Sequence, residues 1–379
     1  MFRKTSLICL AALAALVLSG CKENPTAAFE DEMAAFMQEM DAVGLSVAVV
    51  KDNQVIYNHS FGYSDLETKA PVTDKTIFRI ASISKSFTGT SLMQMVEQGK
   101  VTLDADVSDL LGFPVRNPKF PDKVITLEML LSHTSSIVDD ENYFSIDQIN
   151  PATNPEWTKH YADYGPGEGY EYCNLNLNMA GTILEILSGE RFDQYVVHHI
   201  LDPLGLYGGY CVDSLDQSLF GKLYSWKGDA YEEQPEAYEP RSEKIAAYVM
   251  GHDAPLFSPT GGMKISAVDL ARYMVMHMNY GYSPLADVRI ISEESSMNMQ
   301  TPRSDVENYG ITLWKTDEYT PGITLVGHTG GAYGLRSAMF FNPEEKYGFT
   351  VISNGAHNPD KSILNGSIEL MYKHFIAGE

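Results

Sequence analysis

Positive charge is scarce in this 379-residue chain: 27 lysines and arginines stand against 50 aspartates and glutamates, a formal net charge of −23. Neutralising phosphates needs a basic surface, so nucleic-acid binding is disfavoured. The acid gathers in stretches such as VDDEN and GDAYEEQPEAYEPRSEK, which read as solvated loops rather than sites and bear mainly on solubility. Cysteine is rare too, four in all, so no disulfide is demanded. Cys9 and Cys21 lie at the N-terminus; for Cys173 and Cys211 one bridge is allowed, and two separate buried thiols are the plainer reading. The chain holds no internal repeat, no low-complexity tract, no Gly-x-Ser-x-Gly elbow, no His-Glu-x-x-His helix, no phosphate loop and no dinucleotide fingerprint. No cofactor is called for. His198, His199 and Asp202 are the one cluster that tempts a metal reading, but adjacent histidines diverge around a helix and the segment reads as the end of a packed one.

Only one long apolar run is evident, LICLAALAALVL at residues 7–18, after Arg3 and Lys4. It is too short to span a bilayer comfortably and reads as an export signal over residues 1–20. It ends in LSGC, similar to a bacterial lipobox, which makes Cys21 the expected lipidated N-terminus of a cell-envelope lipoprotein on the periplasmic or outer-surface face. Residues 21–32 then form a polar tether, and the lipid is the expected membrane contact.

What the sequence does have is apolar residues, 44% of the whole, enough for one large domain or two lobes sharing a cleft. GLSVAVVKDNQVIYNHSFG reads as a hairpin around Asp52-Asn53. GITLVGHTGG and GLRSAMFFNPEEKYGFTVISNG supply three more strands, with a turn at Asn342-Pro343. These N- and C-terminal strands are expected to form one antiparallel sheet, covered by a C-terminal helix over SILNGSIELMYKHFIAG. Between them the period is helical, and Ser266 with Asp269 resembles a capping box. The expectation is an α/β (α+β) fold with a sheet lobe over about 33–80 and 306–379 and an inserted α-rich lobe over about 81–305.

Within RIASISKSF, Ser82 stands three residues before Lys85. If a helix opens here, the amine lies one turn on, within reach of the hydroxyl. A serine needs such an activator, because a free hydroxyl is scarcely ionised at neutral pH. Burial would bring the lysine down from about 10.4 towards neutrality. Alone the pair is a weak signal, since Ser19 and Lys22 repeat the spacing where no site can lie, and a polar helix cap explains it as well. Two further elements tip the balance. YCN places Tyr172 and Asn174 after a Gly/Pro loop, and HTG places His328, Thr329 and Gly330 at the end of a strand, with Gly331 next.

In this order the three segments resemble the serine penicillin-recognising family, in particular its class C β-lactamase and D-alanyl-D-alanine carboxypeptidase branch. LSHTSSI (with Ser136 where glycine is usual), DPLGL and SPTGGMKISAVDLARYM extend the likeness over about residues 33–379. The resemblance implies a β-lactamase/transpeptidase-like fold and an acyl-enzyme on Ser82, with Lys85 and Tyr172 exchanging its proton and the identity of the base open. It further implies that Asn174 orients Lys85 and binds the substrate's amide oxygen, that His328, Thr329 and Gly330 bind substrate, and that the backbone N–H groups of Ser82 and Gly331 form the oxyanion hole. A neighbouring ammonium would help Tyr172 ionise. His328 replaces the lysine of class C enzymes and would be about one-quarter charged at pH 7, which leans away from efficient antibiotic hydrolysis. The expected substrate is a small-molecule or short-peptide acyl donor, a D-amino-acid peptide of the cell wall being the leading reading. A class C-type β-lactamase or esterase, or a silent wall-peptide binder, is the alternative.

Overall fold

The computed structural model describes residues 25–378 except 141, so the signal, Cys21 and the first part of the tether lie outside it. Among the described residues the centre is an antiparallel sheet of seven strands: β1 (Gly44–Lys51), β2 (Gln54–Asp65), β3 (Ala70–Pro71), β4 (Trp314–Thr316), β5 (Leu325–Ala332), β6 (Leu335–Asn342) and β7 (Tyr347–Gly355). Their order across the sheet is β4-β5-β6-β7-β1-β2-β3, so the two ends of the chain meet where β1 pairs with β7. The first hairpin turns at Asp52 and Asn53, with φ of 51° and 65°, the left-handed pair that a two-residue turn between twisted strands requires.

Strand β1, GLSVAVVK, is buried on both faces. Leu45, Val47 and Val49 point into one apolar layer, Ala48 and Val50 into the other, as the two-residue period of a strand dictates. The first layer is closed by helix α1 (Pro25–Glu39) and helix α5 (Ile363–Met371), through Phe29, Met33, Met37, Ile363 and Ile368. Residues 25–32, expected as tether, are thus the start of a packed helix. The signal was Phe29, Met33 and Met37 at four-residue spacing, masked by the acidic run 30–32 on the outer face. The second layer holds α2 (Ser84–Glu97), α3 (Asn174–Ser188) and α4 (Ala267–Met278). Ser266 caps α4, its Oγ accepting the Asp269 N–H at 3.2 Å. Although α4 falls within the stretch assigned to the inserted lobe, it lies on the sheet: Thr350 of β7 donates to the Ala267 carbonyl at 2.9 Å. No helix among the described residues is long and apolar enough to cross a membrane.

Candidate active site

Ser82 does not cap a helix. It lies in the tight turn Ala81–Ile83 ahead of α2, whose N-cap is Ile83 and makes no side-chain bond, so its hydroxyl is left for other partners. Ala81 has φ of 47°, a left-handed conformation that costs an L-residue about 1–2 kcal/mol. The sheet holds this turn: Ser337 of β6 donates to the Ile80 carbonyl at 2.8 Å, and Gly330 of β5 lies so close that a Cβ there would stand 2.2 Å from the same oxygen. Because β4 pairs only with residues 325–327, the edge of β5 opposite β6 carries no strand from His328 to Ala332 and faces this turn.

Lys85 is fully buried. Its Nζ stands 3.0 Å from Ser82 Oγ, 2.9 Å from Asn174 Oδ1 and 3.0 Å from the Thr260 carbonyl. The last two partners only accept. A neutral amine therefore spends both N–H groups on them and aims its lone pair at Ser82. Burial brings that neutral amine within reach at neutral pH, pulling the pKa down to about 7, with Asp139 and Cys173 acting the other way.

Asn174 is held for this task by Asp139, a residue in the acidic run that reads as solvated loop. The Asp139 carboxylate accepts Asn174 Nδ2 at 2.8 Å, the backbone N–H groups of Asn174 and Leu175 at 2.7 and 2.9 Å, and the Cys173 thiol at 3.2 Å. An anion at the N-terminus of α3 satisfies orphan donors and meets the positive end of the helix dipole. Because the carboxylate can only accept, Nδ2 must face it, which turns Oδ1 towards Lys85; the same oxygen accepts Thr260 Oγ1 at 2.8 Å. Since Asp139 raises the Lys85 pKa, Asp139→Asn is expected to lower it, moving the midpoint of an NMR titration of Lys85 to lower pH. A profile with an unmoved midpoint and a lowered melting temperature would reduce Asp139 to a helix cap.

Tyr172 packs its ring 4.7 Å from Lys85 Nζ and 4.4 Å from the His133 ring. Burial raises its pKa further than its hydrogen bond with Ser82 lowers it, so it stays a neutral phenol. That corrects the expectation of a phenolate favoured by a neighbouring ammonium. His328 is also neutral. Burial and Lys85 press its pKa down to about 3, so it is not the quarter-charged group expected at pH 7. Its Nδ1 donates to the Thr329 carbonyl at 2.5 Å, which leaves Nε2 to accept from Tyr309 at 2.9 Å. Tyr172, Tyr309, Trp314, His328 and Thr329 line a pocket of about 180 Å³ here.

Ser136, in the place where glycine is usual, has φ of 64° and is fully buried, which explains the glycine; its hydroxyl accepts Asn117 Nδ2 at 3.0 Å. Cys173 and Cys211 are separate buried thiols, not a bridge. His198 and His199 do not diverge: they take one oxygen each of Glu190, at 2.5 and 2.9 Å, and Asp202 is not part of the group. Asp139, Thr260, His133 and Tyr309 were missed. Thr260 acts through a carbonyl, which no side-chain motif announces.

The profile of the β-lactamase family matches residues 29–371. The chain belongs to the β-lactamase family. Within it, Penicillin-binding protein 4 of Amycolatopsis lactamdurans is 26% identical over 343 residues, covering 86% of this chain and 84% of that one. Protein flp of Staphylococcus aureus (strain MW2) is 25% identical over 326 residues, 84% of this chain, and the match spans only 61% of that protein's length. Two solved structures share the β-lactamase-type fold. The octameric penicillin-binding protein homologue from Pyrococcus abyssi superposes with a TM-score of 0.74 at 26% identity, covering 93% of this chain and 78% of that one. The D-amino acid amidase from Ochrobactrum anthropi SV3 superposes with a TM-score of 0.70 at 21% identity, covering 93% and 97%.

Proposed function

We propose that this β-lactamase-family chain is a serine hydrolase that forms an acyl-enzyme on Ser82 from an amide or ester of a D-amino acid or short D-amino-acid peptide. The observation that carries the reading is the buried Lys85 Nζ, 3.0 Å from the Ser82 hydroxyl and held there by two acceptors, Asn174 Oδ1 and the Thr260 carbonyl. Ser82 Oγ attacks the carbonyl carbon as its proton passes to Lys85. The oxyanion meets the backbone N–H groups of Ser82 and Gly331. Collapse breaks the bond to the leaving nitrogen or oxygen, which takes a proton from the Tyr172 phenol; Tyr172 regains it from the Lys85 ammonium. Water then attacks the ester and Ser82 recovers its proton.

Tyr172 sits in the wall of the small aromatic pocket at the His328 end of β5, so the leaving group lies there and the acyl part runs towards Tyr333. A neutral His328 offers no cation to a carboxylate in that pocket. This favours leaving groups without one, an amide ammonia or an alcohol, over a β-lactam's carboxylate or a terminal D-alanine. The fold shared with the D-amino acid amidase supports the same class. Export as a lipoprotein through Cys21 belongs to the proposal and rests on the order of Arg3, Lys4, the apolar run and LSGC.

An activated-serine probe followed by intact mass tests the reading. One adduct per chain, absent in Ser82→Ala, is expected. If neither that probe nor a fluorescent penicillin labels the protein, the silent binding role takes its place.

A further inference from the structure

A larger cavity, about 440 Å³, opens at the opposite end of the same strand edge, where Tyr333 follows β5. Its buried charged wall is Arg79, 6% exposed, three residues before the nucleophile and therefore at most about 11 Å from it along the chain. Arg79 Nε donates to the Gly261 carbonyl at 2.8 Å and Nη2 to Ser258 Oγ at 3.3 Å. The guanidinium lies 5.1 Å from the centre of the Tyr333 ring. Its Nη1 has no hydrogen-bond partner and the side chain no carboxylate partner among the described residues.

None of the other charges around the cavity is paired with Arg79. Arg241 and Lys244 share Glu239, at 2.7 and 3.5 Å. His252 meets Asp253 at 2.6 Å and Asp147 at 3.4 Å. Glu236 is exposed at the rim. A buried guanidinium without a counter-charge carries a heavy desolvation penalty, and its planar fork fits a carboxylate. Held by Gly261, Ser258 and the Tyr333 ring, the guanidinium forms part of the cavity wall without a carboxylate among the described residues.

We propose that the cavity is an acyl-side subsite for a substituent ending in a carboxylate, with Arg79 as its receptor. The placement on the acyl side rests on the hydrolase reading, which puts the leaving group at the Tyr172 end. Substrates would then be D-amino-acid amides or esters whose amino group bears a dicarboxylic acyl chain or an acidic residue.

The test is calorimetry on Ser82→Ala protein, which binds without turnover, using N-succinyl-D-alaninamide and the same compound with its terminal carboxylate converted to an amide. A charge-assisted bond to a buried arginine predicts a preference of roughly tenfold or more for the succinyl compound, weakened by raising the salt. Adding Arg79→Gln should bring the two affinities together. Should that protein not fold, Arg79→Lys, which keeps the charge and loses the fork, should narrow the preference without abolishing it. Equal affinities in the Ser82→Ala protein, or binding of neither compound at millimolar concentration, overturn the subsite. Those results leave the hydrolase reading standing wherever the unmutated protein is labelled at Ser82. Conversely, a clear preference in a protein that no serine probe labels keeps the anion site and removes the hydrolase.

Discussion

Replacing Lys85 by methionine is expected to lower the rate of Ser82 acylation by about a hundredfold to ten-thousandfold, the range set by loss of a positioned general base, while leaving the protein folded. Methionine nearly conserves the volume. The groups left behind are the Thr260 carbonyl and Asn174 Oδ1, and the latter keeps its bond from Thr260 Oγ1. In the parent protein only the neutral amine accepts a proton, and its pKa lies at about 7. Acylation should therefore rise about tenfold from pH 6 to pH 8 and then level off. Stability carries the same signature with a definite sign. The unfolded lysine holds its proton up to about pH 10.4, the folded one only to about 7. Between those values the unfolded state binds more protons, so folding becomes more favourable as pH rises, and the cost of burying the ammonium is fully felt below pH 7. Lys85→Met should thus raise the melting temperature, most at pH 6 and below. A variant that acylates at the parent rate would move the base elsewhere, with Tyr172 the next residue to test.

Gly330→Ala is expected to cost nearly as much activity by another route. The added methyl would stand 2.2 Å from the Ile80 carbonyl, 2.4 Å from Ser337 Oγ and 3.2 Å from Ala81 Cβ, and the first of these is backbone that cannot swing aside. Either β5 retreats or the Ala81–Ile83 turn moves, and both change the distance between Ser82 and the Gly331 N–H. Displacement of about 1 Å is enough to lose about a hundredfold in rate, and overpacking of this kind destabilises by about 1–3 kcal/mol. Single-turnover acylation with thermal unfolding in parallel checks it. Parent-like kinetics in a folded Gly330→Ala protein would mean that this strand does not set the oxyanion site. By contrast, Gly331 faces outwards and a Cβ there meets only the Arg336 guanidinium, at 2.9 Å, a flexible end that can give way, so Gly331→Ala should be the milder change.

Much of this architecture was readable from local pattern. The turn residues Asp52 and Asn53, the strand runs on either side of the Asn342-Pro343 turn and the Ser266 cap of α4 are short-range signals, and each element stands where its signal lies. The site was legible as far as its side chains sit at fixed spacing: Ser82 one turn before Lys85, Asn174 two residues after Tyr172. Illegible were contributions made by backbone or by distant acid. The Thr260 carbonyl has no sequence signature. Asp139 looked like loop charge because its neighbours Asp140 and Glu141 are the same kind of residue, and only the approach of α3 gives one of them a helix end to hold. The acid-rich stretch around Glu236 and Glu239 likewise turned out to wall a cavity. In α1 a run of charge on the solvent face concealed an apolar stripe that was there to be found.

By itself the sequence determined the order of elements, the sheet joined from the two chain ends, and the set of reactive groups, because periodicity, turn chemistry and residue spacing act over a few residues. Tertiary structure decided their protonation. Whether Lys85 is an amine, Tyr172 a phenol, His328 neutral and Arg79 without a counter-charge depends on which distant segments exclude water from each and which acceptors they bring within about 3 Å. Solvation and charge pairing of that kind are properties of the assembled neighbourhood, set only when segments more than a hundred residues apart in the chain have packed together.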